Sequence, residues 1–79
     1  MRAKLPCLIL TFYTTADAIA FEEYAKEKKL SGRLIPIPRE LSAGCGMAFR
    51  IEKSLLPPDY NRLITDSRIS IQEFSEMDY

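Results

Sequence analysis

A cysteine between two glycines is the feature of this sequence best suited to chemistry. Cys45 lies near the end of residues 36–46, Pro-Ile-Pro-Arg-Glu-Leu-Ser-Ala-Gly-Cys-Gly. Glycine neighbours leave a sulfur atom unshielded and allow backbone N–H groups to turn toward an anion. Arg39, six residues earlier, would favour the thiolate if the loop brings it close. The pattern therefore predicts a nucleophilic thiolate that works without a histidine base.

The same segment also fits a purely structural turn. Glycines supply positive φ angles, the prolines at positions 36 and 38 supply rigidity, and a cysteine can serve as a small apolar plug. Ser42 would then shape the turn through hydrogen bonds to the backbone, although its hydroxyl could also bond to a bound sulfur or selenium atom. Residue types alone leave both interpretations open. Arg33 and Arg50 flank the segment and are interpreted as solvated strand side chains.

The composition excludes several classes of function. The chain has no histidine, which removes His-based acid/base catalysis, Ser-His and Cys-His pairs, and imidazole ligands for zinc. Eleven basic residues balance eleven acidic ones, so nucleic acid is not an expected partner. Two cysteines cannot form a four-thiolate site, and neither a metal nor another cofactor is predicted. So few thiols fit a reducing cytoplasm, and the apolar run at residues 5–10 is too short to cross a membrane.

Six secondary-structure elements are predicted to position the loop within one small domain of 79 residues. They are a strand at residues 7–12, a helix from 15 to about 29, a strand at 33–37, a strand at 47–51, a short helix within 55–66 and a strand at 68–73. Ser31 and Gly32 are expected to end the first helix. Pro58 is acceptable as a first helical residue of the second helix. From about residue 75 we expect a frayed acidic tail.

The order β-α-β-β-α-β at this length predicts an α+β fold, the split βαβ or ferredoxin-like sandwich. In this fold a four-stranded antiparallel sheet carries two helices on one face. The proline-bearing second strand belongs at an edge, and we expect the first and third strands to be central and parallel. Cys7 and Cys45 would then lie near the same end of the sheet, close to the limit for a disulfide. The open face is expected to expose Ile9 and Cys7, which favours a homodimer or another partner.

The residues around the loop resemble a known family. Residues 33–50, Arg-Leu-Ile-Pro-Ile-Pro-Arg-Glu-Leu-Ser-Ala-Gly-Cys-Gly-Met-Ala-Phe-Arg, follow Thr-Phe-Tyr-Thr-Thr at 11–15 and an alanine-rich helix. This arrangement is similar to the selenium/sulfur carrier-like family of small bacterial domains, over about residues 8–52. The second helix and last strand match only in type. Sulfur carriers of the Cys-Pro-x-Pro type show a different pattern, because this chain has Pro6-Cys7 in the reverse order.

The resemblance implies that Cys45 receives sulfur or selenium as a persulfide or perselenide and passes it on. The donor would be a protein such as a cysteine desulfurase, and a second protein would be the acceptor. The resemblance places the family's Pro-Arg pair on Pro38 and Arg39, and together with Ser42, Gly44 and Gly46 of the same loop they are the predicted binding residues. The chain would act as a cytoplasmic carrier rather than as a conventional enzyme, with Cys7 either a resolving thiol or an ordinary strand residue.

Two other functions fit the same residues. A small binding or regulatory module would dimerise through its open sheet face and would tolerate loss of the Cys45 thiol. A redox switch would join Cys7 to Cys45, or join two subunits through Cys45. The reactivity of Cys45 separates the binding or regulatory module, which does not need that thiol, from the carrier and the redox switch.

Overall fold

The structure is a computed structural model that describes residues 4–41 and 46–79. Its elements are β1 (Pro6–Phe12), α1 (Thr15–Glu27), β2 (Arg33–Pro36), β3 (Met47–Glu52), a 3-10 turn (Lys53–Leu55), α2 (Tyr60–Asp66) and β4 (Ile71–Asp78). The strands form one antiparallel sheet in the order β2-β3-β1-β4, which places the proline-bearing strand at an edge as predicted. Both helices pack on the same face. The fold is the predicted α+β, ferredoxin-like sandwich.

Phe21 of α1 is central to the core between the helices and the sheet. Its ring lies 5.7 Å from that of Phe12 and 5.1 Å from that of Phe49, measured between centroids. Such aromatic pairs add to the stabilisation that burial alone provides. The helix begins as predicted, because the Asp17 backbone N–H donates to the Thr14 hydroxyl oxygen at 3.1 Å.

The end of α1 differs from the prediction. Lys29, with φ of 58°, adopts the left-handed conformation, and the Leu30 N–H donates to the Ala25 carbonyl at 2.8 Å. These are the features of a Schellman cap, in which lysine occupies the position that glycine usually fills. Gly32 therefore does not end the helix. A Cβ atom at Gly32 would lie 2.5 Å from a ring carbon of Phe49 and 2.6 Å from the Arg50 carbonyl oxygen, so its role is to allow close approach to β3.

The predicted parallel arrangement of the first and third strands is wrong. β3 follows β2 as its antiparallel neighbour and inserts between β2 and β1, and it is antiparallel to both. Cys7 consequently lies opposite Glu52, at the end of β3. Gly46 precedes the start of that strand and lies about 20 Å from Glu52 along it, at ~3.4 Å per residue. The strand direction gives no reason for Cys7 to lie near the residues that lead into β3.

The C-terminal residues form part of the sheet, so the predicted frayed tail is wrong. β4 extends to Asp78, which pairs with Pro6, and two backbone hydrogen bonds join Leu5 to Tyr79 at 3.1 and 2.9 Å. The acidic side chains of this segment are exposed. These charges do not prevent pairing, because the hydrogen bonds of the sheet are made by backbone groups. The backbone of β4 supplies the partners that β1 needs along its second edge.

The second helix is shorter than expected and is held by the first. It begins at Tyr60, two residues after Pro58, so Pro58 is not its first helical residue. The Tyr24 hydroxyl of α1 donates to the Leu63 carbonyl of α2 at 2.5 Å. Burial raises the pKa of the Tyr24 phenol above its usual value of 10.0, and the nearby Asp66 carboxylate raises it further.

We expect the stability of the protein to fall as the pH rises above about 10, with Tyr24 responsible for part of this loss. A raised pKa in the folded state stabilises the fold while the phenol keeps its proton and stops doing so once the pH passes that pKa. Tyr24→Phe should cost about 1 kcal/mol at neutral pH, because the Leu63 carbonyl loses its donor. It should also weaken the dependence on alkaline pH.

Urea denaturation of both proteins at neutral and at alkaline pH measures these effects. Lys53, whose pKa is raised chiefly by its hydrogen bond with Glu76, titrates in both proteins and cancels in the comparison. An identical alkaline loss of stability in the two proteins would contradict the assignment to Tyr24.

Candidate functional site

The loop between β2 and β3 is closed at its base. The Ile37 N–H donates to the Gly46 carbonyl at 3.0 Å, and the Leu41 N–H donates to the Pro38 carbonyl at 2.9 Å. Gly46 has a φ of 73°, a conformation that favours glycine. Three predicted site residues, Ser42, Gly44 and Cys45, lie outside the described residues. Pro38, Arg39 and Gly46 are described and belong to this loop.

The first part of the loop folds back across the open face of the sheet. Leu41 packs against a cluster of buried residues from three strands, which are Cys7, Ile9, Ile35 and Ala48. Pro38 is buried. The predicted exposure of Ile9 and Cys7 is therefore wrong, since both side chains are 0% exposed. Loop residues of the same chain occupy the place that a partner was expected to take.

Arg50 covers another part of the same face. It extends from β3 across β1 to Tyr79, where its guanidinium carbon lies 5.7 Å from the centroid of the ring. Its Nη2 also donates to the Tyr79 carbonyl at 3.3 Å. The side chain is only 12% exposed, so its interpretation as a solvated strand arginine is wrong. Residue alternation placed Arg50 on a strand, but no local signal identified the distant tyrosine that it contacts.

Cys7 is a core residue in this arrangement. Its sulfur is fully buried and donates to the Leu5 carbonyl at 3.2 Å. Met77 lies opposite it on β4 and packs against the same cluster. The thiol is not joined in a disulfide. A reagent or a second protein therefore reaches Cys7 only if the covering residues move.

Arg39 is exposed and borders a cavity of about 520 Å³ beside the loop. The cavity separates the loop from the end of β4 and from the N-terminal segment. Its lining comprises Lys4, residues 36–40, Met77, Asp78 and Tyr79. Lys4 and Arg39 supply positive charge, while Glu40 and Asp78 supply negative charge. The site is therefore a mixed polar cavity next to the loop, with Arg39 on its wall as a cation.

Residues 4–41 and 46–79 contain no cluster of three or more Cys, Asp or Glu side chains placed to hold a metal ion. No helix within these ranges is long and apolar enough to cross a membrane.

The fold and the loop together define the class, a small ferredoxin-like α+β domain in which the first part of the β2–β3 loop packs against the open sheet face. Residues 7–76 match the model of the family described as "Putative Se/S carrier protein-like". The match includes both helices and all or most of each strand, and the chain belongs to this family, as the resemblance indicated. Searches of curated proteins and of solved structures found no significant match.

Proposed function

We propose that the protein is a sulfur or selenium carrier that holds its cargo on Cys45. The observation that carries the proposal is the family match, which spans residues 7–76 and includes the whole β2–β3 loop. The burial of Cys7 supports the choice of cysteine. The chain has two cysteines, and Cys7 is packed in the core with its sulfur bonded to a backbone carbonyl. Cys45 is the remaining candidate.

The transfer step balances without an oxidant or reductant. The Cys45 thiolate attacks the outer sulfur of a donor persulfide, R–S–SH, and a new S–S bond forms to Cys45. The S–S bond of the donor breaks, and the donor leaves as a thiolate with the electron pair. An acceptor nucleophile then attacks the outer sulfur of the Cys45 persulfide and releases the Cys45 thiolate. A perselenide, R–S–SeH, reacts in the same way, with selenium as the atom transferred.

The described part of the loop suits a carrier that docks with other proteins. Its base is closed by the Ile37–Gly46 hydrogen bond, and Leu41 is held against the sheet. A loop anchored on both sides of the reactive residue loses less entropy on docking than a free loop does. Arg39 is exposed nearby and would attract the anionic persulfide of a donor. A cysteine desulfurase as donor, a separate acceptor protein and a reducing cytoplasm fit this chemistry.

We expect purified, reduced protein to gain one sulfur atom when it is incubated with a cysteine desulfurase and cysteine. The gain should disappear in Cys45→Ser, persist in Cys7→Ser and be reversed by reductant, because only a sulfur atom bound to the Cys45 thiol fits the proposal. Intact-mass measurement detects the added atom directly. Selenocysteine in place of cysteine tests for selenium as the cargo in the same assay.

The controls separate loading of Cys45 from unspecific modification. Arg39→Gln should slow loading several-fold, because one charge near the docking surface changes association more than it changes chemistry. Arg62→Gln, which removes an 82% exposed arginine on α2, should leave the rate unchanged. Loading that persists in Cys45→Ser would exclude Cys45 as the site. No loading, together with alkylation of Cys45 no faster than that of free cysteine, would reject the carrier.

The alternative function, a regulatory module that dimerises through its open sheet face, has less support than the carrier. That hypothesis depended on an exposed apolar face, and Cys7 and Ile9 on that face are buried within the protomer. A redox switch between the two cysteines would require the residues covering Cys7 to move before a disulfide forms. Both alternatives predict no transfer of sulfur, so the same loading experiment separates them from the carrier.

A further inference from the structure

Two arginines face each other on neighbouring strands at the β2 edge of the sheet. Arg33 of β2 lies directly opposite Arg50 of β3, and residues paired in this way point to the same face. Like charges directly opposite each other destabilise a sheet. Arg33 is exposed and forms no ion pair within residues 4–41 and 46–79. The pairing brings two arginines to the same face at this edge of the sheet, and Glu52 is the carboxylate that lies near Arg50.

Both arginines line an open cavity of about 240 Å³. The other residues of its wall are Ser31, Gly32, Glu52 and Leu55. The cavity is much larger than the ~15 Å³ that one water molecule requires. Ser31 contributes a hydroxyl group, and Gly32 has no side chain to block the backbone. The wall therefore offers hydrogen-bond donors around a space that can hold a small ion.

The charge of Arg50 is only partly compensated by its neighbours. Its Nη1 lies 3.7 Å from the Glu52 carboxylate, which is too long for a hydrogen bond. Its Nη2 donates to the Tyr79 carbonyl, while its Nε is buried and has no hydrogen-bond partner among the described residues. Two arginines and one glutamate give the wall a net charge of +1. A guanidinium that is 12% exposed and incompletely paired is costly unless a further anion lies nearby.

We propose that this cavity binds a small tetrahedral oxyanion, with phosphate or sulfate as the chemical class. Arg33 and the Nη1 side of Arg50 hold the ion, and Ser31 donates a further hydrogen bond. Glu52 repels the ion from one side and so directs it toward Arg33. Guanidinium groups suit this ligand because their N–H donors match the oxygen atoms of an oxyanion in pairs. The site does not involve Cys45, so its test is independent of the proposed carrier function.

The test is a titration of the ¹⁵N-labelled full chain with inorganic phosphate and with sulfate, at constant ionic strength maintained with chloride. We expect saturable shifts of the Ser31 and Gly32 amide signals and of the Arg50 Nε–H signal. Arg33→Gln should weaken binding by about ten-fold or more, because a charge-assisted hydrogen bond is lost. Glu52→Gln should strengthen binding, and Arg62→Gln, with the same loss of charge on α2, should leave it unchanged.

Two further measurements test whether the loss of binding reflects loss of folding and which kind of molecule carries the oxyanion. Arg50→Lys keeps the charge but loses the planar fork, so it should weaken binding while the amide spectrum stays folded. Phosphoserine that binds more tightly than inorganic phosphate would support the site and show that the oxyanion belongs to a larger ligand. Shifts that grow linearly without saturation, or equal affinity in wild type and Arg33→Gln, would mean an adventitious ion only and would overturn the proposal.

Discussion

Gly32→Ala is expected to reduce the free energy of unfolding by about 3 kcal/mol, at the upper end of the usual cost of overpacking. The added methyl group would lie 2.6 Å from the Arg50 carbonyl oxygen and 2.5 Å from the Phe49 ring. The carbonyl belongs to the backbone of β3, which is paired on both sides and cannot move alone. Phe49 is 1% exposed and is packed against Phe21, so its ring has little free space. Strand β3 would have to shift.

This loss is large for a chain of 79 residues, whose total stability is expected to be roughly 4 to 12 kcal/mol. The midpoint of thermal unfolding should fall by roughly 12 to 24 °C. Thermal and urea unfolding followed by circular dichroism measure both quantities.

Gly46→Ala is the matched control for this substitution. Apart from its chain neighbours, none of the described residues places a heavy atom within 4 Å of the Cβ position at Gly46, but its φ is 73°. Alanine there should cost only about 1 kcal/mol, because it strains the local backbone without a steric contact. The two variants therefore separate close packing from backbone conformation. Equal costs at the two positions would contradict the close approach of Gly32 to β3.

Local sequence signals predicted much of the fold correctly. The two prolines identified β2 as an edge strand, and the first helix begins at residue 15 as predicted, where the Thr14 side chain caps it. These features depend on residues close together in the chain, where one backbone preference or one hydrogen bond decides the outcome.

The incorrect predictions concern interactions between distant parts of the chain. The acidic composition of the last residues suggested fraying, but pairing with β1 decides their structure. Lys29 ends the first helix in a conformation that is uncommon for a residue with a side chain. The direction of β3 follows from its insertion between β1 and β2, which alternation of residue types does not encode.

Sequence patterns indicated only part of the candidate site, because its other contacts also join distant parts of the chain. The loop and its Pro-Arg pair were located from residue types, and Gly46 has the positive φ that one interpretation required. Sequence patterns did not reveal that Leu41 covers the sheet, that Pro38 is buried, or that Arg50 reaches Tyr79. These contacts depend on how a loop and a strand end fold over a face, which periodicity leaves undetermined.

Alkylation of Cys7 in the folded Cys45→Ser protein should be at least ~100-fold slower than in the urea-unfolded chain, because reaction requires local opening of a buried site. Cys7 is 0% exposed and lies in the cluster that Leu41 covers. Removing the Leu41 side chain should favour opening. We expect Leu41→Ala to accelerate alkylation by about ten-fold, since this corresponds to roughly 1.4 kcal/mol of lost packing at a partly buried position.

Leu55→Ala provides the control, because Leu55 is 51% exposed and is not part of the cluster around Cys7. It should leave the rate of Cys7 alkylation unchanged, and mass spectrometry at timed intervals measures that rate. Equal acceleration by both substitutions would indicate global destabilisation rather than opening of the loop. Reaction of Cys7 as fast as in the unfolded chain would contradict the covered face. Cys7 would then be a second candidate for the residue that accepts sulfur in the proposed carrier.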